Sequence, residues 1–180
     1  MQAMHCLASK LLNSWMMDRD SEQTPLIGLI EEIVLDPETL KVALFGLGVG
    51  RGRTKFFVRS DQTHFDRTSG MMQTHFDAVG ETDDFIREHD ILRTHCTLIG
   101  YRVADETGRY LGSVRDYSLT SQLFQVERLY ITSPFWKRLR TPQLIIARTQ
   151  VLEVIPAKKL VQIKNIKPAQ RSRASQAIPA

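Results

Sequence analysis

The chain contains little cysteine and no long apolar run. These two features argue against a disulfide-rich protein and against a membrane-spanning helix. Only Cys6 and Cys96 occur in its 180 residues, so we expect no disulfide framework and a reducing compartment. No apolar stretch approaches the roughly 20 residues that a membrane-spanning helix needs. The opening MQAMHCLASKLLNSWMM is interrupted by Lys10 and Asn13 and lacks a positively charged start, which argues against a signal peptide. These features predict a cytoplasmic protein.

Acidic residues are absent from the end of the chain. Residues 163–180 contain no Asp or Glu, but they do contain Lys164, Lys167, Arg171 and Arg173. These four residues account for the whole formal net charge of +4, so the rest of the chain is neutral. A neutral body argues against an extended nucleic-acid surface. Because apolar residues are sparse and Pro and Ser recur, residues 164–180 are predicted to form a basic disordered tail.

Recognisable catalytic and metal-binding constellations are missing as well. No Ser-His-Asp or Cys-His arrangement stands in a supporting motif. The candidate metal ligands fall on different predicted strands and a linker, whereas metal ligands must converge; they are His64, His75, His89, His95 and Cys96. The glycine-rich run GLGVGRG at 46–52 precedes a predicted strand, although a phosphate-binding loop needs a following helix. We therefore expect no enzyme, no catalytic residues, no metal and no cofactor.

The chain does contain a segment that repeats at an offset of 84 residues. Residues 27–47, IGLIEEIVLDPETLKVALFGL, align without a gap with residues 111–131, LGSVRDYSLTSQLFQVERLYI. Gly28 falls on Gly112, and the apolar positions coincide along the segment. A match at fixed offset indicates a duplicated structural unit. We therefore expect two small domains.

Each repeat is predicted to form a series of short strands. Val, Ile, Leu and Tyr are frequent in these segments, and short strands at this spacing are typical of small barrels or sandwiches. The predicted strands of the first repeat are 15–18, 26–35, 41–47 and 55–59, with one or two more within 62–75; those of the second are 101–104, 110–118, 124–132, 143–147, 151–155 and 159–163.

Turns and a bulge are predicted at matching places. Asp36-Pro37-Glu38-Thr39 has the composition of a turn, and Asp105-Glu106-Thr107-Gly108 places Gly108 at a left-handed position. In the third predicted strand of each repeat, apolar residues occur at every second position until one extra residue interrupts the pattern. The interruption falls between Val42 and Phe45 in the first repeat and between Val126 and Leu129 in the second. A shared slip predicts a β-bulge. We also assign Gly28 and Gly112 to structural turn or bulge positions.

Residues 80–98, GETDDFIREHDILRTHCTL, separate the two repeats. Acidic residues at the head of this segment suit a helix N-terminus, and Phe85, Ile86, Ile91 and Leu92 would form a short apolar stripe. The predicted organisation is a first module at 7–79, a linker with a short helix at 80–98, a second module at 99–163 and a tail at 164–180.

The two repeats resemble the PRC-barrel family. The likeness rests on PLIGLIEEIVLDPETLKVALF in the first repeat and on GYRVADETGRYLGSVRDYSL in the second, with QLIIARTQVLEVIPAKKLVQI fitting the closing strands. The resemblance implies a mainly all-β chain made of two small barrels in tandem, each with five or six strands. The family includes the C-terminal domain of a ribosome maturation factor and the cytoplasmic domain of the photosynthetic reaction centre H subunit. It therefore implies an adaptor without catalysis, and no catalytic residues carry over.

Basic residues recur in the loop after the third strand of each repeat. The first loop contains Arg51, Arg53 and Lys55, and the second contains Lys137, Arg138 and Arg140 beside two aromatic residues. Such clusters can bind phosphates and stack on bases, although solvated loops are also built this way. The leading hypothesis is an adaptor that docks on another protein. The alternatives are an RNA- or ribosome-associated factor, and a factor that associates peripherally with a membrane complex through the tail. The oligomeric state is left open.

Overall fold

The fold is mostly β, as expected for the all-β class. The computed structural model describes residues 5–21, 26–48, 56–66, 69–132 and 144–164. It contains two seven-stranded sheets and divides into two compact units. Unit 1 comprises Met1–Thr97 and Ser118–Val126, and unit 2 comprises Leu98–Tyr117 and Glu127–Ala180.

The first sheet contains the strands of the first repeat. Its strands are β2 (Trp15–Asp18), β3 (Leu26–Leu35), β4 (Val42–Gly48), β5 (Phe56–Arg59), β6 (His64–Asp66), β7 (Met71–Thr74) and β8 (Gly80–Glu81). They are ordered β6-β7-β2-β3-β4-β5-β8. Strands β2 and β7 pair in parallel, and the other pairs are antiparallel.

The second sheet contains β9 (Arg102–Asp105), β10 (Tyr110–Thr120), β11 (Val126–Thr132), β12 (Leu144–Ala147), β13 (Val151–Ile155) and β14 (Leu160–Ile163). Their order is β12-β11-β10-β9-β14-β13. A short strand near the N-terminus, β1 (His5–Leu7), also pairs with β10 and leads into the single-turn helix α1 (Ala8–Leu11). Neither β1 nor α1 is predicted by the sequence pattern.

Six strands of each sheet follow the same path. From β6 and from β13, each sheet begins with a hairpin, continues with a parallel pair, and then forms an antiparallel meander of four strands, β2 to β5 or β9 to β12. The parallel pairs β2–β7 and β9–β14 are equivalent. This shared order agrees with the duplication that the offset of 84 residues predicts. The described strands of each sheet form a path with two edges, so closure of each module into a barrel stays a prediction.

The Ile-Gly and Leu-Gly dipeptides of the two repeats lie at equivalent bulges. In β3 the register against β2 skips Ile27 beside Gly28, and in β10 the register against β9 skips Leu111 beside Gly112. Gly112 adopts φ +149°, and Gly108 adopts φ +79° in the preceding turn. The bulge predicted from the slip in apolar alternation is found in β4, where the register against β3 skips Ala43.

After strand β8, residues 82–94 pack on the first sheet. Two 3₁₀ turns, Thr82–Asp84 and Ile86–Glu88, precede the helix α2 (His89–Thr94). The helix begins later than the acidic residues suggest, because the Asp84 carboxylate accepts a hydrogen bond from the Glu81 N–H at 2.8 Å and caps a 3₁₀ turn instead. Phe85 is buried against Val34, Leu44 and Phe57. Residues predicted as a linker thus contribute to the core of unit 1.

Within unit 1, the ends of the two equivalent hairpins pair with each other. The Val42 N–H donates to the Phe124 carbonyl, and the Val126 N–H donates to the Leu40 carbonyl, both at 2.9 Å. Lys41 and Gln125 face each other in this bridge. Because Leu40 and Val42 are 84 residues from Phe124 and Val126, the pairing has an approximate local two-fold symmetry. The Phe45 and Phe124 rings meet edge to face, with centroids 5.3 Å apart.

Candidate interaction surface

The basic loops predicted from the sequence lie outside the described residues. Arg51, Arg53 and Lys55 fall within 49–55, and Lys137, Arg138 and Arg140 fall within 133–143. The strands that flank them are described: β4 and β5 flank the first loop, and β11 and β12 flank the second. Since these strand pairs are equivalent in the two sheets, both basic loops connect the same two positions of the repeated fold.

One face of the first sheet exposes large apolar side chains. Trp15 is 45% exposed, Leu26 52% and Met71 42%, whereas Met16 and Met72 on the opposite face are fully buried. The exposed residues lie on three neighbouring strands: β7, β2 and β3. We call the set Met71, Trp15, Met17, Leu26 and Leu29 the apolar face.

Strand register explains why these residues share a face. Trp15 pairs with Leu29 across the β2–β3 ladder, and Met17 pairs with Leu26. Side chains two residues apart on a strand point the same way, so Trp15 and Met17 lie on one side. Leu26 and Leu29 are three residues apart and would point to opposite faces of a regular strand. The bulge at Ile27 inserts one extra residue between them, so both lie on this side. The residues between them turn inward and fill the core.

Polar residues border the apolar face on its outer strand. Asp66 pairs with Met71, and His64 pairs with Gln73, on the edge strand β6. On the other side, the Glu31 side chain covers Gly48, so a Cβ atom at position 48 would collide with the Glu31 carboxylate. Polar and acidic side chains therefore border the face, and its middle remains apolar.

A polar cleft of about 210 Å³ lies elsewhere on unit 1. The β3–β4 turn provides Asp36, Thr39 and Lys41, and the end of β5 provides Arg59, Ser60 and Asp61. Ser60 is buried, and its hydroxyl donates to the Val42 carbonyl. That bond joins the end of β5 to the start of β4 and shapes the floor of the cleft.

An ion pair in this cleft joins Arg59 to Glu88. The guanidinium donates twice to the carboxylate, at 2.7 and 3.2 Å, and lies over the Phe85 ring at 5.3 Å. The hydrogen bond from Arg59 lowers the pKa of Glu88, and the same bond raises the pKa of Arg59. The pair links the Ile86–Glu88 turn to β5, and because Arg59 and Glu88 neutralise each other, these two side chains offer little free charge to a ligand.

His75, His95 and Cys6 have separate partners. His75 pairs with Asp20 at 2.7 Å, and His95 pairs with Glu32. Burial raises the pKa of the Cys6 thiol to about 11, and this thiol faces the Leu119 carbonyl. A thiol with so high a pKa is almost entirely protonated near neutral pH and is a poor nucleophile.

Within the described part of the chain, no three His, Cys, Asp or Glu side chains come together as a group that could hold a metal ion. None of its helices has the length and apolar character to cross a membrane.

Sequence reasoning missed the apolar face, although its signal is present. The residues of the apolar face alternate along β2 and β3 with buried residues. The alternation indicates two faces, but it does not indicate which of them packs against the core. The strand order decides that question. In comparisons with known proteins, no family model and no curated protein matches the chain.

Proposed function

We propose that the chain is a non-enzymatic, cytoplasmic adaptor made of two tandem PRC-barrel modules, and that it docks on another protein. The duplicated strand order supports the two modules, because six strands of each sheet follow the same path. The observation that carries the docking role is the apolar face of unit 1, where Trp15, Leu26 and Met71 are each more than two-fifths exposed.

The composition of the apolar face suits a protein partner that presents apolar side chains. Tryptophan is enriched among residues that dominate binding energy at protein interfaces. Methionine side chains are flexible and polarisable, so Met17 and Met71 can adapt to a partner's shape. Removing this area from water would favour association by about 25 cal/mol for each Å² of apolar surface buried.

A substitution at the centre of the face tests this proposal. The tagged wild-type chain should capture a defined protein from a lysate of its own cells, and Trp15→Lys should lower the recovery of that protein at least about tenfold, the effect expected from losing a central aromatic contact. Leu152→Lys is the matched control, because Leu152 is 46% exposed on a different sheet. Equal recovery by both variants, with both folded by circular dichroism, would contradict docking through this face.

The clustering of basic residues favours a second candidate, an RNA- or ribosome-associated factor. The whole net charge of +4 lies within residues 163–180, and both repeats have a basic loop. Such a factor should bind RNA with an affinity that falls steeply with salt. Replacing Arg51, Arg53, Lys137, Arg138 and Arg140 by Ala should weaken binding further. Capture that survives RNase treatment and needs Trp15 favours the adaptor, whereas capture that RNase abolishes favours the RNA factor.

A further inference from the structure

The apolar face of unit 1 consists of two rows of side chains that run across the strands. In the first row, Met71 on β7 stands beside Trp15 on β2, and Trp15 pairs with Leu29 on β3. The second row lies about 7 Å further along the strands and contains Gln73, Met17 and Leu26. The first row is therefore the wholly apolar one, and Trp15 lies at its centre.

An acidic side chain lies at each end of this first row. On the β6 side, Asp66 pairs with Met71 and shares its face of the sheet. On the β4 side, Gly48 pairs with Leu29, and the Glu31 carboxylate fills the place of the side chain that Gly48 lacks. From β6 to β4 there are four strand spacings, or about 19 Å. Two carboxylates therefore bracket the apolar row.

The backbone beneath the apolar face is already paired within the sheet. Strand β7 pairs with β6 and β2, β2 pairs with β7 and β3, and β3 pairs with β2 and β4. A partner that covers this face must therefore satisfy its own backbone hydrogen bonds, as an α-helix does. A helix is about 10–12 Å across, and the distance from β7 to β3 is about 10 Å. One helix thus covers the apolar row and leaves a carboxylate on each side of it.

We propose that the apolar face binds a basic amphipathic helix of a partner protein, whose apolar stripe covers Trp15 and whose Lys or Arg side chains pair with Asp66 and Glu31. Long basic side chains extend along apolar surface and place their charge at its border. The same two carboxylates repel the phosphates of RNA and of anionic lipid, so charge selects against these ligands. This partner class rests on the docking role proposed for the apolar face.

Selection from a peptide library tests the partner class. The full-length chain is used to select from a phage-displayed library of random peptides of about 18 residues, or about five helical turns. The selected peptides are then synthesised, and their affinities are measured. They should carry apolar residues at helical spacing with Lys or Arg beside them. Trp15→Lys should lower their affinity at least about tenfold, because it removes the central aromatic contact.

A charge variant, Glu31→Lys with Asp66→Asn, tests the two carboxylates. An asparagine at position 66 keeps an oxygen for the hydrogen bonds that Ser69 donates there. At low salt this variant should bind the selected peptides at least about fivefold more weakly than the wild type, and the difference should shrink as added salt screens the charges. The matched control is Glu106→Lys with Glu153→Gln, which makes the same change in net charge at exposed positions outside the apolar face. It should bind as tightly as the wild type.

Two results would overturn the basic helix as partner. One is a set of Trp15-dependent peptides that lack an excess of Lys and Arg, or that bind the wild type and the charge variant equally. The other is selection of no peptide that needs Trp15, by a chain that circular dichroism shows to be folded. Either result would leave the adaptor role in place if Trp15→Lys still abolished capture of the cellular protein, whereas capture that does not need Trp15 would contradict docking through this face.

Discussion

The hairpin ends of the first and second repeats adopt the same backbone with different side chains. The Leu40 N–H donates to the Asp36 carbonyl and the Phe124 N–H donates to the Thr120 carbonyl, each at 2.9 Å. In the first end the Asp36 carboxylate also accepts bonds from the backbone of Glu38 and the hydroxyl of Thr39. In the second end the Thr120 hydroxyl accepts one longer bond, from the Gln125 N–H at 3.3 Å.

The feature that both ends share is a buried apolar residue in a left-handed conformation. Leu40 adopts φ +57° and Phe124 φ +47°, and they are 4% and 2% exposed. Glycine or asparagine usually occupies such a position. Core packing between the two ends, rather than the chemistry of either turn, therefore holds this conformation.

Truncating Phe124 tests whether packing holds the two ends. Phe124→Ala removes the contact with Phe45 and leaves a cavity, so the free energy of unfolding should fall by about 3–5 kcal/mol. Leu40→Ala should cost about 2–5 kcal/mol for the same reason. Urea unfolding followed by tryptophan fluorescence measures both. Leu123→Ala is the control, because the neighbouring Leu123 is 59% exposed, and it should change stability by less than about 0.5 kcal/mol. Equal losses at 123 and 124 would refute the packing explanation.

The glycine bulge and the glycine turn of the second repeat should respond differently to alanine. A Cβ at Gly112 would collide with the Thr132 carbonyl and approach the Ile131 side chain. Because the clash is with backbone, relieving it would require the strand itself to move. Gly112→Ala should therefore cost about 3 kcal/mol. Gly108 has open space around it, so Gly108→Ala should lose only about 1 kcal/mol from its left-handed φ. Thermal unfolding would rank the two variants, and the reverse order would show that the bulge tolerates a side chain.

The Arg59–Glu88 pair belongs to the first unit, and it should make that unit sensitive to acid. The pKa of Glu88 is lowered, so its contribution is complete above the ordinary glutamate pKa and is lost as pH falls through the lowered value. Glu88→Gln should cost about 1 kcal/mol at neutral pH, since Arg59 and Glu88 are partly exposed.

Urea midpoints between about pH 6 and pH 3 would show this dependence. The wild-type midpoint should fall more than that of Glu88→Gln across the window, because the variant has no carboxylate to protonate. Glu153→Gln, at an exposed position of β13, should follow the wild type. Parallel curves for the wild type and Glu88→Gln would show that the pair contributes nothing.

The equivalent aspartates at the ends of β9 and β2 should differ by a smaller amount. Asp105 accepts three hydrogen bonds, from the backbone and hydroxyl of Thr107 and from the Arg109 N–H, and these bonds lower its pKa. Asp18 accepts one, from the Asp20 N–H at 3.3 Å. The urea midpoint should therefore fall further for Asp105→Ala than for Asp18→Ala. A larger fall for Asp18→Ala would show that bond number does not set the stability of these turns.

Much of the fold follows from local pattern. Strands β2, β3 and β13 have the predicted bounds, because alternating apolar residues and clear turn residues delimit them. The bulge in β4 follows from the slip after Val42. Strand β1 escaped prediction because His5–Leu7 is short and lacks an alternating pattern. The apolar face escaped because alternation shows two faces without saying which one is covered.

Residue spacing within each repeat was enough to predict most of the strands and the bulge after Val42, and to indicate the duplication with which the shared strand order agrees. Tertiary structure alone decided that Leu40–Val42 would pair with Phe124–Val126, that β1 would pair with β10, and that Phe85 would enter the first core. These contacts join residues far apart in the chain. Their free energy depends on which buried surfaces meet, and the spacing of residues within either repeat does not encode that choice.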